Sequence, residues 1–448
     1  MNNEVRQGMK RLIVAVLVVL VAVLAAAPFV TGHVMENTLA EVERFPGTRD
    51  ALELEVTDYQ RGYLESRAES ELWLRLPEQE PVRVMLTHRI DQLPGIDGRY
   101  ATVHTTWEPA DPELRDELAE VFGDDAEFTL ATALYPTGAS HSTGRIPSVE
   151  RDGVDFSGAD IRLDTKADGR FDYRLEGERL AIDDEAEGVE AGSAVVSEGL
   201  RLIASGQVAE DGFVWDSEGR FELDRLEIDQ DSEQGWVEDF VLRFDSAREE
   251  DRWGFAVDYQ VGDAVIQDES FSDAQMRLAV ERLDAGAVRA LVERMETLQA
   301  LAARGAAIDE AFTDAVMAEL PALMQHGPRI ALEPLRATTA EGDTEIRLAA
   351  ELPAGMSKGE PNPMMWMAMV SALVIEGSLE MPIALLEKSA AARGQRVGVV
   401  EEQLAPLVAQ GWVRVEDGVV ATTVDFRQGN LELNGTSANQ LLNMAFGG

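Results

Sequence analysis

The 448 residues carry 83 acidic side chains against 39 lysines and arginines, a net charge of −44, and no cysteine. A surface this acidic repels nucleic acid and anionic headgroups, and the absence of cysteine excludes disulfides and a thiol-linked lipid anchor. Apolar residues make up 45% of the chain, enough for a sizeable core and too many for a disordered polymer.

Residues 1–11 read as a cytoplasmic N-terminus in which Arg6, Lys10 and Arg11 outnumber Glu4. Leu12 to Val30 follows without a single charge. A run of that length, residues 12–30, crosses a bilayer as a helix, and its basic flank keeps the N-terminus inside. This predicts a single-pass protein of the bacterial inner membrane with its main domain in the periplasm. A cleaved signal peptide is the competing reading. Ala25, Ala26 and Ala27 offer a cleavage site, but Pro28 would follow the cut and the apolar run is long for a signal.

The acid is dispersed over the rest of the chain, and the only lysines are Lys10, Lys166, Lys358 and Lys388. Both features fit a domain facing high external salt, with calcium storage as the alternative. Salt screens self-repulsion, so the thermal midpoint should rise between low and molar sodium chloride. A rise with millimolar calcium alone would favour the specific-ion reading. Asp164 to Gly169 begins like a calcium loop, yet Lys166 at the third place and Leu175 at the twelfth defeat it. Asp168-Gly169 reads as a hairpin turn.

Residues 36–270 are predicted to be β-rich. Phe171, Tyr173 and Leu175 alternate with polar residues, as do Phe240, Leu242 and Phe244, then Trp253, Phe255, Val257 and Tyr259. Asp152-Gly153 and Asp211-Gly212 add turns, and a short helix is expected at Asp111 to Val121. Residues 271–330 read as a helical section. Ser272 and Gln275 resemble a capping box, and Val288, Leu291, Met295, Leu298 and Ala302 share one helical face. A second helix is expected from Asp309 to Gln325, stopped by Gly327-Pro328. Residues 331–448 read as an α/β section continuous with the β-rich region. It holds strands at Ile330 to Leu335 and Thr344 to Leu352, helix from Met364 to about Gln410, and closing strands from Trp412 to Leu433. The fold class expected is α+β: an N-terminal transmembrane helix, then a long curved antiparallel β-meander with helices packed on it.

Three stretches carry a family resemblance. Tyr59-Gln60-Arg61-Gly62-Tyr63-Leu64-Glu65-Ser66 has an aromatic-x-Arg-Gly-aromatic opening. Leu320 to Ile330, continuing through Thr338 to Thr344, joins a helix end, a strand and a glycine turn. Leu407 to Trp412 and Gly429 to Gly435 form a closing helix–strand–strand. Together, in this order, they resemble the YdgA-like family of bacterial inner-membrane-anchored periplasmic proteins. The resemblance implies an envelope protein with no known enzyme activity and supplies no catalytic residues. Where family members often have His-Gly-Pro in an early hairpin, this chain has His88-Arg89-Ile90-Asp91-Gln92-Leu93-Pro94-Gly95.

No catalytic, cofactor or metal residue emerges. His88 and His104 flank an expected hairpin and would face each other as metal ligands, but nothing completes the set. Ser140-His141-Ser142 lies in an expected loop without the nucleophile-elbow pattern. Met364, Met365, Trp366, Met367 and Met369 open an uncharged run too short to span a membrane. It reads as a buried helix, with an apolar interaction surface for lipid or a partner helix, or a copper(I) site, as alternatives. The function expected is structural or interactive, non-enzymatic, in envelope organisation or assembly. Its partners would be the inner membrane, another protein or a second copy, and no nucleic acid. The alternative is a lipid-binding or lipid-transfer module using an apolar groove of the curved sheet.

Overall fold

The computed structural model describes residues 52–74, 82–123, 128–151, 153–183, 193–209, 213–230, 233–266, 269–302, 309–355, 368–369, 371–396 and 398–441. The chain divides into two compact units, residues 1–236 with 292–313, and residues 237–291 with 314–448.

The first unit is an antiparallel meander. β1 (Leu52–Gln60), β2 (Glu65–Leu74), β3 (Val82–Asp91), β4 (Ala101–Pro109), β5 (Phe128–Leu134) and β6 (Ser140–Ile146) pair in sequence. β7 (Val149–Arg151) and β8 (Val154–Phe156) form a small hairpin. β9 (Ala159–Thr165) returns beside β6, and β10 (Arg170–Ile182), β11 (Ala194–Val208) and β12 (Val214–Gln230) continue the order. Side chains alternate strictly, as a pleated strand requires. Val84, Leu86, His88 and Ile90 are buried along β3, while Thr87 and Arg89 face solvent. Helix α1 (Pro112–Phe122) starts on a proline, which has no N–H to leave unsatisfied, and stops before Gly123 at φ 85°. It adds Leu118 and Phe122 to the core; Phe122 meets Phe128 edge-on at 5.1 Å, and Trp107 lies 4.3 Å from Phe128.

The second unit contains most of β13 (Glu233–Glu249), then β14 (Arg252–Ile266), β15 (Glu269–Asp284), β16 (Arg329–Thr339), β17 (Gly342–Glu351), β18 (Val374–Pro382), β19 (Arg414–Glu416), β20 (Val419–Arg427), β21 (Asn430–Leu433) and β22 (Thr436–Ser437). Strands β14 to β18 pair in sequence; β18 then pairs with β20, and β20 with β21. Helices α4 (Ile383–Ala392) and α5 (Val399–Ala409) belong to this unit, whereas α2 (Ala285–Ala302) and α3 (Asp309–Leu323) are divided between the two, residues 292–313 falling in the first.

The α+β expectation is overturned, because the described residues are mostly antiparallel strand. Two segments explain the difference. Ser272 and Gln275 do not cap a helix; both lie within β15, where Met276, Leu278 and Val280 alternate toward one face. The helix begins at Ala285, and its cap is Asp284, whose Oδ1 accepts from the Ala287 N–H at 2.8 Å. The section expected to be helical from Met364 to Gln410 contains β18, which belongs to the sheet. No described helix is long and apolar enough to cross a membrane. The expected transmembrane helix, Leu12 to Val30, lies outside the described residues. Asp284 Oδ2 also lies 3.0 Å from His326 Nε2, so replacing Asp284 with alanine removes the cap and this contact and should cost about 1–2 kcal/mol, measurable as a lower denaturation midpoint at neutral pH.

Candidate binding face

The cross-strand register of the second unit builds one sheet face without a charge. Directly opposed residues of antiparallel strands share a face, so each chain of partners can be read straight across. One row is Phe255, Val280, Ile330, Ala350, Ile375, Phe426 and Leu431. The next is Val257, Leu278, Leu332, Leu348, Gly377, Val424 and Leu433. The third is Tyr259, Met276, Leu335, Ile346, Leu379 and Thr422. A register shift between Leu332 and Leu335 keeps both on this face. With strands ~4.8 Å apart and same-face residues ~7 Å apart, seven strands and three rows cover about 29 by 14 Å.

The opposite face has another character. Its corresponding row runs Ala256, Ala279, Ala331, Ala349, Glu376 and Asp425, and the next but one runs Gln260, Gln275, Arg336, Glu345, Glu380 and Ala421. Ala256, Ala279 and Ala331 are buried. On the apolar face none of the twenty residues is buried, and Tyr259, Leu278, Ile330 and Leu348 are 37%, 37%, 53% and 45% exposed. In outline the face covers about 400 Å², the size of the largest apolar patch on a typical monomer, and such a patch is often functional. Its backbone groups are committed to the sheet ladder, and the Thr422 hydroxyl donates to the Trp412 carbonyl at 2.8 Å. The face therefore offers dispersion contact and water exclusion, and the Tyr259 and Thr422 hydroxyls are the polar side-chain groups among its twenty residues.

The first unit handles its inner face differently. Leu72 and Val84 are fully buried, and a polar stripe crosses the core. His88 Nε2 lies 3.1 Å from Ser70 Oγ, and its Nδ1 lies 2.9 Å from Thr105 Oγ1. Thr132 and Ser142 hydroxyls meet at 2.9 Å. A neutral imidazole has one donor and one acceptor nitrogen, and two flanking hydroxyls satisfy both in either tautomer. Burial lowers the His88 pKa to about 4. Tyr173, also in this core, has its pKa pushed up to about 12 by burial, and its hydroxyl has no hydrogen-bond partner among the described residues. On the solvent side, a groove of about 580 Å³ is lined by Thr87, Arg89, His104, Thr106, Thr129 and Arg145 and holds no acid. Its arginines nevertheless lie near carboxylates, Arg89 at 3.8 Å from Asp91 and Arg145 at 3.9 Å from Asp160, which weakens its pull on an anion.

A family model described as "Bacterial protein of unknown function (DUF945)" matches residues 9–439. The chain belongs to this family. Neither the search of curated proteins nor that of solved structures finds a match. Membership thus extends over both units and assigns no role to any residue.

The residues singled out in the sequence fall as follows. Met364, Met365, Trp366 and Met367 lie outside the described residues; Met369 is buried, 4% exposed. His88 and His104 do not face each other, because the register pairs His88 with Thr105 and His104 with Arg89, placing them on opposite faces. Among the described residues no cluster of three or more His, Cys, Asp or Glu could hold a metal. Ser140-His141-Ser142 is strand β6 rather than loop. Its serines point into the core, and His141 points out to Asp164 at 2.6 Å. Burial raises the Asp164 pKa, but hydrogen bonds from His141 and Arg162 outweigh it and hold the carboxyl below its usual range. The sheet thus separates the His–Asp pair from both serines, so Ser140, His141 and Ser142 do not form a Ser-His-Asp arrangement with Asp164. The apolar face is hidden from the sequence reading because β15 and β18 carry helix-like signals. The period-two triplets Met276/Leu278/Val280 and Ile375/Gly377/Leu379 were its available signals.

Proposed function

We propose that this protein is a non-enzymatic component of the bacterial envelope that binds lipid acyl chains on the open apolar face of its second unit. The Leu12 to Val30 segment holds it at the inner membrane with the bulk of the chain in the periplasm. The observation that carries the reading is the charge-free, unburied face in a chain with 83 acidic side chains. Its ~14 Å width is close to the ~15 Å depth of one bilayer leaflet. The sequence alone put a structural or interaction role first; the open face favours the lipid-handling alternative. The likeness to YdgA-like proteins supports the location.

The full chain held in amphipol should take up a fluorescent long-chain fatty acid saturably. Long-chain phospholipid should compete, and short-chain phospholipid should not. Uptake that never saturates, or indifference to the competitor, would contradict acyl binding. Capture of a second copy of the chain instead, seen as a dimer that lipid does not dissociate, would make the face a protein interface.

A further inference from the structure

The first unit carries exposed apolar side chains at the tips of two adjacent hairpins. Tyr63 and Leu64 lie in the β1–β2 turn, 93% and 52% exposed; Leu93, Ile96 and Tyr100 lie in the β3–β4 turn, at 59%, 111% and 40%. The two turns are joined. The Gln92 N–H donates to the Leu64 carbonyl at 2.8 Å, and Gln92 Nε2 donates to Ser66 Oγ, also at 2.8 Å. The tips are thus one fixed edge of the sheet, and the most exposed side chains project individually instead of lining a groove.

We infer that this edge inserts shallowly into the bilayer surface, its apolar side chains among the acyl chains and its arginines among the headgroups. Three observations favour a bilayer over a protein partner. The first is charge. Residues 59–67 and 89–100 contain Arg61, Arg67, Arg89 and Arg99 against Glu65, Asp91 and Asp97, so the edge is slightly positive in a chain of net −44. It escapes the repulsion that anionic headgroups exert on the rest of the surface. The second is chemistry. Tyrosine beside aliphatic side chains and arginine is the composition of the membrane–water interface. The third is reach. Residues 31–51 join the apolar N-terminal segment to β1, and 21 residues can span at most ~70 Å. β1 runs nine residues toward the tip, about 30 Å, so its start lies well within that tether when the tip touches the membrane. This last argument rests on the membrane-held reading given above.

The absence of cysteine allows single labels. Full-length Ile96→Cys and Tyr63→Cys, each carrying an environment-sensitive fluorophore, would be placed in nanodiscs of phosphatidylethanolamine and phosphatidylglycerol. Thr129→Cys, exposed at the other end of the same sheet, is the control. The tip labels should shift to shorter wavelength and lose emission to brominated acyl chains, while the control does neither. Adding Ile96→Asp should abolish the shift at position 63 without changing the thermal midpoint. Tip labels that keep aqueous emission on a disc-held chain would overturn the proposal. An alkaline wash of native membranes tests the anchor separately. If it strips the chain off, the anchor reading fails, and the tip is scored by adding vesicles of the same lipids: a shift supports insertion and its absence overturns it.

Discussion

Replacing Leu278 and Leu348 together with aspartate should weaken acyl-chain binding by at least about 100-fold, near 3 kcal/mol, because each carboxylate must lose water where an alkyl chain would lie. Both positions sit in the central row of the apolar face and are already 37% and 45% exposed. The cost to folding should therefore be smaller, about 1 kcal/mol each. The two readouts separate a binding face from a core. A core predicts collapse of the denaturation midpoint together with binding, whereas a face predicts loss of binding from a folded protein. Aspartate at Glu376, on the opposite face, should change neither.

Stability should fall by about 3 kcal/mol between pH 6.5 and pH 4 on account of His88 alone. Burial lowers its pKa from the usual 6.5 to about 4 in the folded state. The unfolded chain takes up a proton as pH falls through 6.5, whereas the folded chain resists until about 4. Above 6.5 both states are neutral and the residue contributes no pH dependence. Through that window the unfolded state gains the advantage, and below about 4 the effect levels off. Carboxylates titrate mainly in the lower part of the window and the chain holds four other histidines, so the difference in slope from 6.5 to 5 between parent and variant isolates His88. His88→Gln can keep hydrogen bonds to Ser70 and Thr105 and cannot titrate. Denaturant curves at several pH values should show a steeper slope in the parent than in the variant. Equal slopes would mean that His88 is hydrated in the folded protein.

The strands that alternate cleanly were legible in the sequence. Phe171, Tyr173 and Leu175 lie along β10, with Tyr173 and Leu175 buried, and the short helix near Asp111 is α1. At the turn expected from Asp168-Gly169, Gly169 has the positive φ, 82°, that glycine accommodates. In β14 the expected alternation is present, and the apolar side is the open one. Phe255, Val257 and Tyr259 lie on the open face, while Ala256 and Asp258 are buried. Periodicity reports that one face differs from the other; which face is covered depends on partners distant in sequence. β15 was lost because Ser272 and Gln275 imitate a helix cap just ahead of a genuine helix. β18 was lost between an apolar methionine-rich run and α4. The candidate face could not be seen whole, because its rows join residues from 255 to 433 through register alone.

Site-specific photo-crosslinking in living cells tests the central claim most directly. A photoreactive side chain at Leu278, Ile330 or Leu348 in the full-length protein should form phospholipid adducts, detected by labelled phosphate and mass spectrometry. The same group at Glu376 or Glu380 on the opposite face should form none. Adducts to protein alone at the three leucine and isoleucine positions, or lipid adducts equally abundant on both faces, would contradict an acyl-binding face.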